Sequence, residues 1–291
     1  MNFAQQLVNG LALGGVYALI AIGYTMVYGI VKLMNFAHGD IYMAGAFFGF
    51  LAVKNLNTGF ILTLIIAMVG SALLGIIIEK IAYKPLRNSS RITLFITSMG
   101  ISLLLENGFR VIFGPNPRPF PELLKVKLYK IGDFQINNLQ IATLLVCFIL
   151  VILLQVIVYK TKVGRAMRAA SFDTEATELM GINVNNTISL TFAIGSALAA
   201  AAGVLIGMSY PKIDPYMGMI PGLKAFIAAV VGGIGLIPGA MVGGIVLGVS
   251  EIFTKAFIST KLSDGIAYII LIIILIFKPS GLLGKKVNEK V

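Results

Sequence analysis

The chain consists of long apolar runs separated by short polar segments. A helix needs about 20 apolar residues to cross the hydrocarbon core of a bilayer, and runs near that length predict spans at residues 7–31, 37–53, 60–82, 92–113, 139–159, 187–209 and 264–277. Two shorter, glycine-broken runs at 222–234 and 239–254 predict two further spans, or one bent span. The pattern predicts an all-α polytopic membrane protein with about nine spans (eight to ten), some of them short or interrupted.

Composition agrees with this class of protein. Hydrophobic residues make up 58% of the 291-residue chain and charged residues 12%, against about 25% charged residues in soluble domains. The net charge of +11 would suit a nucleic-acid partner. The basic residues lie mostly in loops, however, where they set topology and contact anionic lipid. We therefore expect membrane lipid, and no nucleic acid, among the partners.

Lysine and arginine residues concentrate in three loop segments, at 80–91, 160–168 and 278–290. Nine spans place all three on one face of the membrane, and the positive-inside rule makes that face cytoplasmic. We expect one transmembrane domain over residues 1–291, with a cytoplasmic C-terminus and a cytoplasmic loop at 160–186. The loop at 114–138 then lies on the extracytoplasmic side of the membrane. Its four prolines disfavour a helical start, and it either receives an external partner or only connects two spans.

The loop at 160–186 has the pattern of a short amphipathic helix. Four apolar residues follow one helical stripe, namely Phe172, Ala176, Leu179 and Met180. Ser171 or Asp173 suits the N-cap, and Gly181 suits a left-handed stop. A helix of about ten residues is marginal alone in water, so its apolar stripe needs cover from the membrane domain or from a partner protein. Two basic residues beside it suit acidic partner groups or lipid phosphates: Arg165 and Arg168.

Few residues could carry catalysis. His38 is the only histidine and Cys147 the only cysteine, so no His/Cys metal cluster is expected. The sequence GLLGKK at 281–286 superficially resembles a phosphate-binding loop, but Pro279 and Lys286 stand where that loop needs glycine and Ser or Thr. We therefore expect a transport protein rather than an enzyme, and no ATP hydrolysis through such a loop.

Two groups of residues are candidates for a substrate pathway. The first lies between two apolar runs and comprises Asn35, His38, Gly39, Asp40 and Tyr42. Ionisable residues at that depth suggest function, but a polar turn at the inner interface, with Asp40 near the positive start of the next helix, is also consistent. The second group is Gly232, Gly233 and Gly235. These glycines interrupt an apolar run near the C-terminus whose sequence weakly resembles the run that contains the first group. Paired interrupted helices mark the substrate pathway in many transporters.

Four further charged residues lie inside predicted spans. Glu106 and Arg110 are four residues apart, so they share a helix face and are expected to form an ion pair. Lys224 and Glu251 either lie at the membrane interface or face a cavity, and the pattern does not choose between these positions.

The loop at 160–186 also carries a resemblance to a known family. Glu175, Ala176 and Thr177, followed after three residues by Gly181, resemble the EAA loop of ABC-importer permeases, although Thr177 replaces the second alanine and no Leu-Pro follows. Three longer segments extend the resemblance over nearly the whole chain: GGVYALIAIGYTMVYGIVKLMNFAHGDIYMAGAF, GRAMRAASFDTEATELMGIN and GLKAFIAAVVGGIGLIPGAMVGGIVLG. Together they resemble the LivH-type permeases of bacterial branched-chain amino acid ABC importers.

This resemblance implies a permease subunit in the bacterial cytoplasmic (inner) membrane. The expected partners are a second homologous permease (LivM-type), two ATPase subunits that dock at the loop, and an extracytoplasmic substrate-binding protein. No cofactor is expected on this chain, because ATP is used by the partner subunits. The implied cargo is Leu, Ile or Val. A related permease for urea, short amides or other amino acids is an alternative, as is a stand-alone secondary transporter or channel.

Overall fold

The computed structural model describes residues 3–32, 34–131 and 134–284. In chain order the helices are α1 (Phe3–Val31), α2 (His38–Leu56), α3 (Phe60–Ile78), α4 (Arg91–Phe113), α5 (Asn138–Lys160), α6 (Lys162–Phe172), α7 (Thr174–Leu179), α8 (Val184–Ser209), α9 (Met219–Gly232), α10 (Ile237–Phe257) and α11 (Ser263–Phe277). A π-helical turn, Glu79–Tyr83, extends α3, and two short strands precede α5, β1 (Leu128–Ile131) and β2 (Phe134–Asn137).

Six of the described helices are long and apolar enough to span a membrane: α1, α3 with its extension to Leu86, α4, α5, α8 and α10. The apolar helices α9 and α11 are shorter, and α2 occupies the run predicted at 37–53. Each predicted run coincides with one helix, and the glycine-broken pair forms two helices rather than one bent span. The prediction of an all-α polytopic membrane protein is confirmed.

The helices α1 and α8 form the centre of the bundle, since both are far more buried than α3, α4 or α5. α1 packs along α10 and α9, and α8 packs against α2 and α3. Glycines allow close contacts here. A methyl group added at Gly248 of α10 would overlap the Gly14 backbone of α1, and one added at Gly45 of α2 would overlap Ala200 of α8. Small residues of this kind let neighbouring helices approach closely within lipid.

The loop at 114–138 begins without a helix, as its prolines predict. Its two strands, β1 and β2, pair antiparallel and were not predicted. Arg118 and Ile213 exchange backbone hydrogen bonds of 2.8 and 2.9 Å, which tie the loop to the segment between α8 and α9. Asn137 and Gln140 form a capping box at the start of α5. The loop is therefore tied to the bundle near its start, through Ile213, and at its end, through the cap of α5.

The three predicted basic segments lie together at one end of the bundle, as far as they are described. Arg87 donates a 2.7 Å hydrogen bond to Asn185, which joins the first segment to the end of the loop that holds the second. Phe172 of that loop and Gly235 line one groove, and the chain after α11 hydrogen-bonds to the end of α9. Residues 285–291 of the third segment lie outside the described residues.

Candidate functional site: an exposed loop and an acidic cavity

The segment predicted as one helix from Phe172 to Met180 consists of two helices. α6 ends at Phe172 and α7 begins at Thr174, with Asp173 between them in an extended conformation. The Asp173 carboxylate accepts a 3.0 Å hydrogen bond from the backbone N–H of Ala176. Asp173 is thus the N-cap of α7, a position that requires non-helical backbone. The prediction of a single helix is wrong. Of the two N-caps that the sequence allows, Ser171 and Asp173, the structure has Asp173, and Ser171 lies within α6.

Small and apolar side chains anchor both short helices to the bundle. Met167 and Ala170 of α6 are buried, as is Thr177 of α7. The Thr177 hydroxyl donates a 2.5 Å hydrogen bond to the backbone carbonyl of Asp173. Gly181 ends the segment with a φ of +80°, the left-handed conformation that glycine adopts without steric cost. One side of α6 and α7 is therefore fixed to the bundle.

The other side presents large apolar residues to the surroundings. The exposed fraction is 97% for Phe172, 88% for Leu179 and 81% for Met180, and Glu175 and Ala176 are exposed beside them. We call these five residues the α6–α7 surface. It lies at the basic end of the bundle, where α6 contacts the end of α5. Clustered exposed apolar residues are typical of protein or membrane contacts.

The two arginines beside the α6–α7 surface have different surroundings. Arg168 donates a hydrogen bond to the backbone carbonyl of Val158, and its guanidinium carbon lies 5.3 Å from the centre of the Tyr159 ring. These contacts join α6 to the end of α5. Arg165 and Arg168 are both exposed, but the contacts of Arg168 with α5 leave Arg165 as the freer guanidinium for an acidic partner group.

The residues predicted at the junction of α1 and α2 are buried, and three of them support the start of α2. The His38 ring packs against Tyr24, with 4.7 Å between the ring centroids. Asn35 accepts a 2.7 Å hydrogen bond from the Tyr83 hydroxyl. Tyr42 is enclosed in the core. These contacts fix the position at which α2 begins.

The other two predicted residues, Gly39 and Asp40, line a cavity of about 260 Å³ together with Ser102 and Glu106 of α4. We call it the acidic cavity. Asp40 is 2% exposed and Glu106 is 9% exposed, and neither carboxylate lies within 4.0 Å of a lysine, arginine or histidine nitrogen among the described residues. Within the same ranges, no group of three or more His, Cys, Asp or Glu side chains could hold a metal ion.

The ion pair predicted between Glu106 and Arg110 is not formed. The Arg110 guanidinium instead donates a 3.0 Å hydrogen bond to the Tyr216 hydroxyl, while Glu106 lines the acidic cavity. Spacing along α4 permits the pair, but the loop before α9 offers Arg110 a partner nearer the helix end. Sequence reasoning missed Glu106 and Ser102 as cavity residues, since no local pattern relates them to the start of α2.

The predicted glycine group lies away from the acidic cavity. A methyl group at Gly232 would overlap the carbonyl of Gly239, and Gly233 turns the chain with a φ of +111°. Gly235 lines the groove that Phe172 also lines. These glycines form the tight turn between α9 and α10, next to the α6–α7 surface, and the structure does not bring them together with the residues of the acidic cavity.

Known proteins resemble this chain over nearly all of its length. The family described as branched-chain amino acid transport system / permease component matches residues 6–275. The chain is 41% identical to the high-affinity branched-chain amino acid transport system permease protein LivH of Escherichia coli K12, across 100% of this chain and 98% of that protein. Identity to the corresponding permease protein BraD of Pseudomonas aeruginosa PAO1 is 42%, with the same coverage. The structure of PsaBC from Streptococcus pneumoniae in complex with Fab is similar in fold, with a TM-score of 0.52 at 16% identity, over 96% of this chain and 93% of that one.

Proposed function

Since the chain belongs to the family of permease components of branched-chain amino acid transport systems, we propose that it imports Leu, Ile or Val across the bacterial cytoplasmic membrane as the permease subunit of an ATP-driven complex. It is a transport subunit, and ATP is hydrolysed on separate subunits. The observation that carries the proposal is the α6–α7 surface. Its large apolar residues are exposed at the basic end of a membrane protein, where an ATPase subunit would cover them.

The partners follow from this assignment. Two ATPase subunits dock at the basic end, a second homologous permease (LivM-type) completes the membrane domain, and a substrate-binding protein delivers the amino acid from outside. The arrangement of the basic segments supports this orientation, because segments rich in lysine and arginine stay on the cytoplasmic side. The C-terminus is then cytoplasmic, and β1 and β2 lie on the face that receives the binding protein.

The position of Phe172 suggests how docking reaches the membrane helices. Phe172 lines a groove with Thr25 and Gly29 of α1 and with Gly235 in the turn between α9 and α10. A movement of the ATPase against the α6–α7 surface would therefore displace Phe172 relative to the cytoplasmic ends of α1 and α10. Such coupling requires that the ATPase bind two permease conformations with different affinity.

The test is the double variant Glu175→Lys with Leu179→Asp. Both side chains are exposed, so we expect normal membrane insertion and folding but loss of ATPase co-purification and of ATP-driven uptake. The matched control is Leu128→Asp, an exposed leucine of β1 at the opposite end, which should retain the ATPase. Co-purification and normal uptake by the double variant would contradict the docking role. Uptake by purified protein without any ATPase would contradict the proposed function itself.

A further inference from the structure

The helices α2 and α9 begin inside the bundle, and their N-termini are in contact. A methyl group at Gly23 of α1 would overlap the His38 ring at the start of α2. Gly23 lies eight residues before the end of α1, or about 12 Å at 1.5 Å per residue. The start of α9 abuts the same place, because methyl groups added at Gly39 and Gly218 would each overlap the other's backbone.

Neither helix start is capped by a side chain. At the start of α9 the Met219 N–H is bonded to the Tyr216 carbonyl and Pro221 has no N–H, so this helix start acts on the cavity through its partial positive charge. Asp40 already occupies the first turn of α2, whereas the first turn of α9 holds no acidic residue. Gly218 and Met219, at the start of α9, line the acidic cavity. One wall of the cavity is therefore suited to an anionic group.

The opposite polarity comes from Asp40 and Glu106. The groups that interact with the Asp40 carboxylate include the Ser102 hydroxyl and the Glu106 carboxylate. Both acids are buried without a cationic partner in the part of the chain that the structure describes. Two carboxylates in low-dielectric surroundings are costly unless a cation or hydrogen-bond donors compensate them. An ammonium group is a cation and also donates hydrogen bonds.

The cavity opens on the side of the bundle. Met99, Leu103 and Met219 belong to its lining and are exposed, so its mouth lies among apolar residues at the depth of the membrane helices. Lipid chains are a poor cover for a pair of carboxylates. A second permease could pack against this face and enclose a water-filled path between the two subunits. The volume of about 260 Å³ is close to the lower end of the usual range of about 300–1,000 Å³ for ligand sites.

We infer that the acidic cavity is a translocation site for a zwitterionic amino acid, in which Asp40 and Glu106 hold the ammonium group and the start of α9 faces the carboxylate. The exposed methionines and leucines at the mouth contact the aliphatic side chain. This inference rests on the proposed function and adds to it the place where the permease itself contacts the cargo.

The first experiment measures uptake by the complete complex in proteoliposomes. Asp40→Asn and Glu106→Gln preserve side-chain size and remove one charge each. Loss of a charge-assisted hydrogen bond should lower uptake about tenfold, while the yield of assembled complex stays at the wild-type level. Assembled variants with wild-type uptake would overturn the inference and leave the proposed function intact. A wild-type complex that takes up no Leu, Ile or Val would instead overturn the proposed function.

The second experiment reads the charge of the cavity without any cargo. In a Cys147→Ala background, Ser102→Cys should react faster with a cationic methanethiosulfonate than with an anionic one, because Asp40 and Glu106 attract the cation. Adding Asp40→Asn should lower that preference. The control thiol is Thr260→Cys, exposed beside Lys261, which gives the reagent preference of an exposed thiolate and should show a smaller ratio of cationic to anionic rates than residue 102. A ratio of cationic to anionic rates at residue 102 that is no larger than the ratio at residue 260, or no reaction at residue 102 with either reagent, would overturn the inference.

Discussion

Lys224 of α9 and Glu251 of α10 form a buried ion pair, with 2.8 Å between Lys224 Nζ and Glu251 Oε2. The Tyr17 hydroxyl of α1 donates a 2.9 Å hydrogen bond to the same carboxylate oxygen. Lys224 also lies 2.6 Å from Asp264 of α11. One charged network thus joins four helices. Because an unpaired charge in apolar surroundings is costly, each member of the network holds its helix to the others.

We expect Lys224→Met to destabilise the protein more than Lys255→Met. Both lysines contact Glu251, but the Lys224 side chain is 6% exposed and the Lys255 side chain is 35% exposed. Breaking a buried pair costs about 3–5 kcal/mol, whereas a partly exposed pair contributes about 1 kcal/mol or less. Thermal unfolding in detergent, followed by labelling of the buried Cys147, measures the difference. Equal decreases in the unfolding midpoint would show that burial does not set the strength of these pairs.

The contact between α1 and α10 leads to a second prediction. Gly248→Ala would push a methyl group into the Gly14 backbone, and backbone cannot move aside as a side chain does. Overpacking of this kind costs about 1–3 kcal/mol or more, so we expect a lower unfolding midpoint and less monodisperse protein on size exclusion. Gly100→Ala on α4 is the control, since no atom lies within 4 Å of its added methyl group. It should be neutral, or stabilising by about 1 kcal/mol through helix propensity. A comparable loss in both variants would mean that helix contact is not the cause.

The helices were predictable because the apolar runs are long and glycine-marked, so even the short α9 and the glycine-rich α10 were located. Local chemistry also succeeded at Asp173 and Gly181, because a cap and a left-handed stop depend only on nearby residues. The break between α6 and α7 was missed for a related reason. An N-cap at Asp173 excludes that residue from any helix. The apolar stripe that begins at Phe172 nevertheless predicted one helix running through Asp173.

The contacts between helices could not be predicted from the sequence. Lys224 and Glu251 are 27 residues apart and belong to different helices, so their pairing depends on the rotation and depth of both helices, which hydrophobic periodicity does not fix. The same holds for Asp40 and Glu106, which line one cavity because α2 begins inside the bundle. Conversely, the spacing of Glu106 and Arg110 predicted a pair that the loop residue Tyr216 prevents by binding the arginine.

Thr177 marks the point where the exposed loop departs from the EAA pattern of permeases, and its surroundings predict which residues it tolerates. It is 4% exposed and its hydroxyl bonds to the Asp173 carbonyl. Thr177→Ala restores the pattern and loses one hydrogen bond, worth about 0.5–1.5 kcal/mol, so ATPase co-purification and uptake should stay near wild type. Thr177→Leu adds bulk where none fits, so it should displace α7 and reduce both measurements. Unchanged co-purification and uptake in Thr177→Leu would show that α7 is not anchored through this residue, and a loss in Thr177→Ala would assign the hydroxyl a role in coupling.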